Sequence, residues 1–484
     1  MKKLTDILKN TPVRELCGDT AAAIGGLVYD SRAVKPGDCF FAVPGTQSDG
    51  HDYIPIAVEK GAAAIVCERM PADAAEGVAY VLVGDSAGAM ADMAAAFYDY
   101  PSRELKLVGI TGTNGKTTTA TLLYDLVRAM GYKAGLISTV VYKIDGREVE
   151  ATHTTPDSIR LNAMMREMAD AGCAYCFMEC SSHAIVQERT RGLDFAGGIF
   201  SNITHDHLDY HKTFAEYIRA KKLFFDGLPK GAFALTNADD RNGRVMVQNT
   251  AAAVSAYSLR AMADFRCKIV EMHLDGMLLR IDGQELWVGL LGRFNAYNLL
   301  AVYGAAALLG LDRGEVLRVL SMLHAVSGRF EKIRAANGTT AIVDYAHTPD
   351  ALENVIQTIE EIRTPGQQLI VVCGSGGDRD RTKRPEMAAI AVKYATMAVF
   401  TSDNPRHESP EAILDDMVAG LEPGARYLRI ADRAEAIRTA VMLSRPGDII
   451  LVAGKGHETY QIVGDVKHPF DDREEIKKRF ALLN

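Results

Sequence analysis

Residues 105–117 read Leu-Lys-Leu-Val-Gly-Ile-Thr-Gly-Thr-Asn-Gly-Lys-Thr, an apolar run that leads directly into a glycine-rich turn. The run Leu105–Ile110 predicts a buried β-strand, and the residues from Lys116 to about Met130 predict a helix. A strand, a glycine-rich turn and a helix in this order open a parallel α/β sheet. Backbone N–H groups of such a turn and the helix N-terminus face an anion, so this segment predicts a phosphate site.

The chemistry of this turn indicates a nucleotide. Lys116 would reach the β- and γ-phosphates, and the Thr117 hydroxyl would bind Mg²⁺. The strict phosphate-loop pattern has its first glycine five positions before Gly115, where this chain has Ile110, so the loop is a variant with its glycine at Gly112. The alternative is a structural turn with an exposed lysine. The residues of the predicted nucleotide site are Gly112, Thr113, Asn114, Gly115, Lys116, Thr117 and Thr118.

Length and composition indicate the number of domains and exclude several classes of protein. At about 150 residues per domain, 484 residues predict three domains, and one core cannot grow to this size. Nucleic-acid binding needs a basic surface, which the net charge of −8 does not favour. No apolar stretch is long enough for a membrane span. Eight cysteines in so long a chain are typical of reduced thiols, so we expect a cytoplasmic protein. Cys173, Cys176 and Cys180 lie in an apolar run and are interpreted as structural thiols, with a metal site as the alternative.

Three regimes follow one another along the chain. Residues 1–102 predict a small mixed α/β domain, residues 103–326 a central parallel sheet of the phosphate-loop type, and residues 327–484 a Rossmann-like, doubly wound domain. The strand candidates of the last two regimes are 176–179, 198–202, 233–237, 340–344, 369–373, 398–402 and 448–453. The fold class is therefore α/β with three domains.

Acidic and histidine side chains follow the phosphate turn. Glu179 ends an apolar strand, where a carboxylate beside a phosphate site suits Mg²⁺. His205, His207 and His211 lie close together with two aspartates, which suggests a metal site. The spacing misses the HxHxDH signature of metallohydrolases by one residue. A Mg²⁺–nucleotide site is favoured, and a metal-dependent hydrolase or a solvated polar loop remains the alternative.

Three polar loops end strands of the third regime. They are the stretches 374–381, 402–406 and 454–458. Arginine forks bind carboxylates in a bidentate manner, while Asp403 and Glu458 suit an ammonium group. The three loops together predict a site for a zwitterion, and the alternative for any one of them is a surface turn.

An ordered set of motifs resembles the ATP-dependent Mur ligases of peptidoglycan synthesis over nearly the whole chain. The motifs are Thr111-Gly-Thr-Asn-Gly-Lys-Thr117, Glu179-Cys-Ser-Ser-His183, Asn202-Ile-Thr-His-Asp-His-Leu-Asp209, Gly292-Arg-Phe-Asn-Ala-Tyr-Asn298, Ser327-Gly-Arg-Phe-Glu331 and Asp344-Tyr-Ala-His-Thr-Pro349. Within the family, Asp403-Asn-Pro-Arg406 resembles the signature of the members that add meso-diaminopimelate as the third residue of the stem peptide.

The resemblance implies a reaction and its partners. ATP would phosphorylate the γ-carboxylate of D-Glu in UDP-MurNAc-L-Ala-D-Glu, and the amine of meso-diaminopimelate would displace the phosphate. Arg406 would pair with the carboxylate that lysine lacks. Alternatives within the superfamily are an L-lysine-adding enzyme, a D-Ala-D-Ala-adding enzyme and a folylpolyglutamate synthase.

The resemblance also implies site residues. Mg²⁺ would be held by Thr117, Glu179, His207 and Lys221, with Lys221 carbamylated by CO₂. The catalytic residues would be Lys116, Glu179, His207 and Lys221. ATP would also contact Asn295, Arg329 and Asp344. The residues implied for the UDP-substrate are Tyr29, Ser31, Thr46, Gln47, Ser48, Thr154, Thr155, Ser181, Gln187 and Arg189. Those implied for diaminopimelate are Arg379, Asp403, Asn404, Pro405, Arg406, Gly454 and Glu458.

Overall fold

The computed structural model describes residues 1–45, 48–204, 206 and 208–483. These residues form three main sheets that follow one another along the chain, with helices packed against them. The α/β class and the three-part organisation predicted from the sequence are confirmed.

The first part carries a five-stranded mixed sheet and a separate antiparallel pair of short strands. The strands are β1 Lys2–Lys3, β2 Val13–Cys17, β3 Ala23–Ile24, β4 Gly26–Val28, β5 Asp38–Phe41, β6 Ala64–Cys67 and β7 Ala79–Val83. Strands β1 and β3 form the pair, and the order of the sheet is β2-β7-β6-β5-β4, with β2 antiparallel to β7 and the other neighbours parallel. The helices are α1 Leu4–Ile7, α2 Ile54–Glu59 and α3 Ser86–Phe97.

The central part carries an eleven-stranded sheet. Its strands are β8 Lys106–Thr111, β9 Ala134–Ile137, β10 Val141–Ile144, β11 Arg147–Glu150, β12 Tyr175–Glu179, β13 Gly197–Phe200, β14 Phe233–Asn237, β15 Ala253–Ser258, β16 Phe265–His273, β17 Gly276–Ile281 and β18 Gln284–Val288. Its helices are α4 Lys116–Ala129, α5 Ser158–Asp170, α6 Ser182–Val186, α7 Leu208–His211, α8 Phe214–Asp226, α9 Gly243–Val247, α10 Arg293–Leu308 and α11 Arg313–Leu320.

The order of this sheet is β11-β10-β9-β12-β8-β13-β14-β15-β16-β17-β18. The seven neighbouring strands β9, β12, β8, β13, β14, β15 and β16 run parallel, and antiparallel strands extend the sheet at both ends. In the register of β12 against β8, Glu179 lies opposite Ile110. The carboxyl ends of parallel strands meet at one edge, so this register brings the strand-end carboxylate to the phosphate turn.

The third part carries a six-stranded sheet and a separate hairpin. The strands are β19 Glu331–Arg334, β20 Thr340–Asp344, β21 Leu369–Cys373, β22 Met397–Phe400, β23 Tyr427–Arg429, β24 Ile449–Ala453, β25 Tyr460–Val463 and β26 Val466–Pro469. Strands β25 and β26 form the hairpin, and the order of the sheet is β19-β20-β24-β21-β22-β23, parallel except for β19. Its helices are α12 Pro349–Ile362, α13 Lys383–Tyr394, α14 Pro410–Val418, α15 Arg433–Leu443 and α16 Asp472–Phe480.

Local sequence explains why these elements form where they do. Strands β21 and β24 are continuous apolar runs that are buried on both faces, as central parallel strands require. Helix α12 begins at Pro349, whose missing N–H costs nothing at a first helical position, and the Thr348 side chain accepts from the Ala351 N–H as its cap. Among the helices of the described residues, none is long and apolar enough to cross a membrane.

Candidate active site

The phosphate turn connects β8 to α4, and close packing leaves room only for glycine at two positions. A Cβ on Gly115, whose φ is +87°, would lie 2.5 Å from Oδ1 of Asn298. A Cβ on Gly112 would lie 2.0 Å from Oγ of Ser201. Ser201, which follows β13, and Asn298 of α10 therefore pack closely against the turn. The predicted nucleotide residues Gly112, Thr113, Asn114, Gly115, Lys116, Thr117 and Thr118 all lie in this turn or in the first turn of α4.

Two lysines converge on one carbonyl of the turn. The Lys116 Nζ donates to the carbonyls of Gly112 at 3.0 Å and Thr113 at 2.8 Å, and the Lys221 Nζ donates to Gly112 at 2.8 Å. Burial lowers the pKa of both ammonium groups, and the charge of Lys116 lowers the pKa of Lys221 further. Lys221 is only 1% exposed, and in the described part of the chain neither lysine is ion-paired with a carboxylate. The Lys116 ammonium at this turn favours an anionic ligand, while burial and the charge of Lys116 favour the neutral amine at Lys221.

A buried carboxylate lies on the adjacent strand. Glu179 accepts from the Thr139 N–H at 2.7 Å and from the Thr139 hydroxyl at 3.1 Å, and the same hydroxyl lies 3.1 Å from the Thr154 Oγ1. The charge of Glu179 raises the pKa of Lys116, against the effect of burial. Carboxylate and hydroxyl oxygens are what Mg²⁺ prefers, so Glu179 and Thr117 fit such an ion. His207, the remaining ligand implied by the resemblance, lies outside the described residues.

The alternative metal sites are described only in part. His205 and His207, which the hydrolase hypothesis needs, lie outside the described residues, and His211 Nε2 lies 2.9 Å from the Ser182 hydroxyl. The cysteines Cys173, Cys176 and Cys180 are buried free thiols in or beside β12, and burial raises the pKa of each.

Residues of the third part reach the phosphate turn. The Arg329 Nη2 donates to the Thr117 hydroxyl at 3.2 Å, and its guanidinium lies 4.5 Å from the centroid of the Tyr345 ring. Asp344 ends β20 and accepts from the backbone N–H groups of Phe330 at 2.7 Å and Ala346 at 2.8 Å, while burial raises its pKa. The loop that carries Arg329 is thus anchored by Asp344.

Asn295 contacts the turn indirectly. Its amide donates to the carbonyl of Leu291 at 2.7 Å and accepts from the Asn298 amide at 3.1 Å. Asn298 in turn accepts from the Thr119 hydroxyl at 3.4 Å in α4. Helix α10 therefore places both asparagines beside the predicted nucleotide site.

A hydrogen-bonded cluster extends from Glu179 away from the turn. The Thr155 hydroxyl donates to the carbonyl of Glu179 at 2.6 Å and accepts from the Ser181 N–H at 3.2 Å. Arg189 donates to the carbonyl of Thr155 at 2.7 Å and to Oε1 of Gln187 at 2.6 Å. The structure thus brings together five residues implied for the UDP-substrate, which are Thr154, Thr155, Ser181, Gln187 and Arg189.

The uridine-end residues lie in the first part. Tyr29 is about half exposed; burial and Asp157 raise the pKa of its hydroxyl, and Arg189 lowers it. Ser31 is buried in a short 3₁₀ turn, and Ser48 is exposed. Thr46 and Gln47, also implied for this end, lie outside the described residues. Arg189 of the cluster in the central part therefore acts on Tyr29 through its charge.

The polar loops of the third part form a second cluster. The Asn404 amide donates to Oε2 of Glu458 at 2.8 Å, and a Cβ on Gly454 would lie 2.4 Å from Oδ2 of Asp403. That carboxylate oxygen is buried and has no hydrogen-bond partner among the described residues. Of the predicted loops, 402–406 and 454–458 are therefore in direct contact.

The arginines lie at one side of this cluster. The half-buried Arg406, which has a φ of +50° and follows Pro405, donates to the carbonyl of Gly377 at 2.8 Å. Burial and the neighbouring charge of Arg379 lower its pKa. Loop 374–381 thus completes the group of residues predicted for a zwitterion.

Comparisons with known proteins match all three parts. Family models match residues 23–98 (Mur ligase family, catalytic domain), 110–306 (Mur ligase middle domain) and 328–456 (Mur ligase, glutamate ligase domain). The UDP-N-acetylmuramoyl-L-alanyl-D-glutamate–2,6-diaminopimelate ligase of Phocaeicola vulgatus is 55% identical over 99% of both chains. The chain belongs to the Mur ligase family.

Solved structures agree with this Mur ligase assignment. A structure of a UDP-N-acetylmuramoyl-L-alanyl-D-glutamate–2,6-diaminopimelate ligase matches with a TM-score of 0.68 and 32% identity over 95% of both chains. The MurF ligase of Thermotoga maritima, solved in complex with ADP, matches with a TM-score of 0.64 and 19% identity over 96% of this chain and 98% of that one, which shows a shared fold. The family resemblance predicted from the sequence is confirmed.

Two residues of this Mur ligase site were missed by sequence reasoning. Asp350 in α12 accepts from the Asn114 amide at 3.0 Å and from the Thr204 hydroxyl at 3.3 Å, which joins the third part to the phosphate turn. Lys455 donates into the amino-acid cluster from inside loop 454–458. Asp350 directly follows the motif 344–349, and Lys455 lies within the polar loop 454–458. Their places in the sequence, next to predicted site residues, are the signal that could have identified both.

Proposed function

We propose that this chain is an ADP-forming ligase that joins meso-diaminopimelate to the γ-carboxylate of D-Glu in UDP-MurNAc-L-Ala-D-Glu during peptidoglycan precursor synthesis, in the cytoplasm. The observation that carries the proposal is the contact between the Arg329 guanidinium and the Thr117 hydroxyl at the phosphate turn. It joins the predicted nucleotide site to the part of the chain that carries the zwitterion cluster. The names of the relatives reported above support the choice of substrates.

The reaction follows from the weakness of a carboxylate as an electrophile. A γ-carboxylate oxygen attacks the γ-phosphorus of ATP, so that an O–P bond forms and the bond to ADP breaks. The diaminopimelate amine then attacks the acyl carbon, a C–N bond forms, phosphate leaves with the bonding electrons, and the amine loses a proton. Positioning and charge neutralisation drive such transfers, so the protein needs no covalent nucleophile.

The phosphate turn supplies the nucleotide contacts in this proposal. The backbone of 112–118 and the ammonium of Lys116 bind the phosphates, and Asn295, Arg329 and Asp344 hold the rest of ATP. Thr117, Glu179 and His207 would bind Mg²⁺, which supplies further neutralisation of phosphate charge when bound.

Lys221 has a separate role in the proposal. Its neutral amine would add CO₂, forming an N–C bond and releasing one proton, and the resulting carbamate would be an anionic ligand for metal. The low pKa that burial gives this amine raises its neutral, reactive fraction. Its hydrogen bond to Gly112 places the group at the phosphate turn.

The remaining clusters take the other two substrates. The UDP-dipeptide would contact Tyr29, Ser31, Thr46, Gln47, Ser48, Thr154, Thr155, Ser181, Gln187 and Arg189. Diaminopimelate would contact Arg379, Asp403, Asn404, Pro405, Arg406, Gly454 and Glu458. Asp403 supports this assignment, because a buried carboxylate oxygen without a partner suits an incoming ammonium group.

An amino-acid panel tests the proposal. The protein is incubated with UDP-MurNAc-L-Ala-D-Glu, ATP and Mg²⁺, and with meso-diaminopimelate, L-lysine, D-Ala-D-Ala or L-glutamate in separate reactions. We expect phosphate release and a UDP-tripeptide product only with diaminopimelate. Release that prefers L-lysine, D-Ala-D-Ala or glutamate would assign another member of the superfamily. Turnover without ATP would favour the hydrolase alternative.

A further inference from the structure

Lys455 lies at the centre of the amino-acid cluster. Its side chain is 0% exposed, and its Nζ donates to Oδ1 of Asn404 at 3.0 Å and to Oε2 of Glu458 at 2.8 Å. The Nζ also lies 5.7 Å from the centroid of the Tyr460 ring. Burying an ammonium is costly unless it is hydrogen-bonded and paired with an opposite charge. Asn404, Glu458 and the Tyr460 ring provide these interactions.

The donors around Asn404 determine which way its amide faces. An ammonium can only donate hydrogen bonds, and so can a backbone N–H. Oδ1 of Asn404 receives both kinds of donor, from Lys455 and from the Ile462 N–H at 2.9 Å. A flipped amide would place its own NH₂ against two donors and lose both bonds. The Nδ2 of Asn404 is therefore held on the other side, where it donates to Glu458 at 2.8 Å.

This orientation has a consequence for a ligand. The Asn404 NH₂ carries two protons, and Glu458 Oε2 accepts one of them. Among the described residues no hydrogen bond uses the second proton, so it can be donated to an acceptor such as a carboxylate oxygen. The Lys455 ammonium binds Oε2 of Glu458, and no bond within the described part of the chain uses Oε1, which can accept from a donor such as an ammonium group.

We propose that Lys455 is a positioning residue that sets the hydrogen-bond polarity of the amino-acid site, with Asn404 facing a carboxylate and Glu458 facing an ammonium of the incoming zwitterion. Lys455 itself does not touch the ligand. The inference rests on the proposed function, because it assigns the ligand of that same cluster.

Three variants of the full-length protein test this role. Lys455→Met removes the ammonium and keeps the apolar stem, and Lys455→Gln keeps a shorter donor. Lys467→Met is the matched control, because Lys467 is exposed, lies 4.2 Å from the centroid of the same Tyr460 ring and is paired with Ile462 on the neighbouring strand. The measurements are kcat and the KM of each of the three substrates, together with the melting temperature.

We expect Lys455→Met to raise the KM of diaminopimelate about tenfold or more, with Lys455→Gln intermediate. The KM values of ATP and the UDP-dipeptide should stay within about twofold of wild type, as should every constant of Lys467→Met. If all three KM values stay unchanged in Lys455→Gln while its melting temperature falls, the role is structural and the inference is wrong. If all three rise together, or Lys467→Met matches Lys455→Met, the inference is also wrong. Wild-type protein that does not use diaminopimelate overturns the proposed function itself, and this inference with it.

Discussion

The phosphate turn and the amino-acid cluster lie at the carboxyl ends of parallel strands in two different sheets. They differ in whether the buried basic side chains nearby are ion-paired with carboxylates. At the phosphate turn, Lys116 and Lys221 donate to backbone carbonyls, and neither is ion-paired with a carboxylate in the described part of the chain. Behind the amino-acid cluster, Arg433 and Asp472 form an ion pair of 2.7 Å in which both side chains are fully buried.

The difference matches the ligands proposed for the two sites. Burial of the two lysines without ion-paired carboxylates favours their neutral forms and raises the free energy of the folded protein, although the charge of Asp206 offsets part of this effect. The phosphate turn is therefore prepared for its ligands at some cost to stability. Diaminopimelate is a zwitterion without net charge, and a site for it needs fixed donors and acceptors rather than excess charge. Buried ion pairs hold such donors and acceptors in place, but the folded state is strongly destabilised when either partner is removed.

Removing one partner of the buried pair gives the largest expected effect. Arg433 also donates to the carbonyls of Ser402 at 3.3 Å and Ala453 at 3.0 Å, the residues just before Asp403 and Gly454. Arg433→Met leaves the Asp472 carboxylate buried without its partner, so we expect a loss of about 3–5 kcal/mol in the stability of the third part. Urea denaturation measures this loss in the free energy of unfolding. Hydrogen exchange of the β24 amides then shows whether the loss lies in the third part.

An exposed pair on the same helix is the control. Arg438 pairs with Glu435 at 3.1 Å and is about half exposed, so Arg438→Met should change stability by no more than about 0.5 kcal/mol. The double variant Arg433→Met with Asp472→Leu should recover much of the loss, because no buried charge remains. Equal stability of Arg433→Met and Arg438→Met would contradict the distinction between the two regions.

The opposite behaviour is expected at the phosphate turn. Lys221→Met should lower kcat about 10²–10³-fold, as the loss of one electrostatic group in an active site typically does. The same substitution should raise the melting temperature, because it removes a buried amine whose ammonium form is disfavoured by burial and by the charge of Lys116. Phosphate release in the complete reaction and thermal unfolding measure the two effects on the same samples.

The neighbouring lysine is the control for this prediction. Lys222 pairs with Asp226 at 2.6 Å within α8, so Lys222→Met should leave kcat within about twofold of wild type. If Lys222→Met abolishes activity and Lys221→Met does not, the role assigned to Lys221 belongs to its neighbour.

The elements predicted well from the sequence are those buried on both faces. Strands β14, β20 and β21 have the predicted bounds, because a central parallel strand has no solvent-facing side and its apolar residues mark it clearly. The hairpin β10–β11 and the strands β16–β18 were not predicted. They lie at the two ends of the central sheet, where β11 exposes polar side chains and lacks an apolar run.

The site was predictable to the extent that it follows local motifs. The position of the phosphate turn and the location of Glu179 beside it follow from strand ends in one parallel sheet. The contacts of Asn114 with Asp350 and of Asn404 with Lys455 join residues 236 and 51 positions apart. Such pairings depend on how separate sheets and loops pack, which periodicity and spacing along the chain do not specify.

The pH dependence of stability sharpens the interpretation of Lys221. Its folded-state pKa is well below the usual lysine value of about 10.4, so between these two values the unfolded chain binds a proton that the folded chain does not. Stability of the wild type should therefore rise with pH across that window. We expect the advantage of Lys221→Met over wild type to shrink from pH 7 to pH 10 in CO₂-free buffers, measured by urea denaturation. An advantage that is constant with pH would contradict the assigned protonation behaviour.

The smallest expected effect lies at Asp350, where the third part contacts the phosphate turn. Its carboxylate accepts from Asn114 and Thr204, so Asp350→Ala would leave two donors beside the phosphate turn without their acceptor. A single hydrogen bond of this kind contributes about 0.5–1.5 kcal/mol, so the KM of ATP should rise about two- to tenfold. Asp350→Asn keeps one oxygen that can accept both bonds, and its KM should stay within about twofold of wild type. Glu353→Ala, on the same helix but bonded to Tyr394 at 2.8 Å, should leave the KM of ATP unchanged. An equal rise in the alanine and asparagine variants of Asp350 would mean that its negative charge, rather than its hydrogen bonds, orders the phosphate turn.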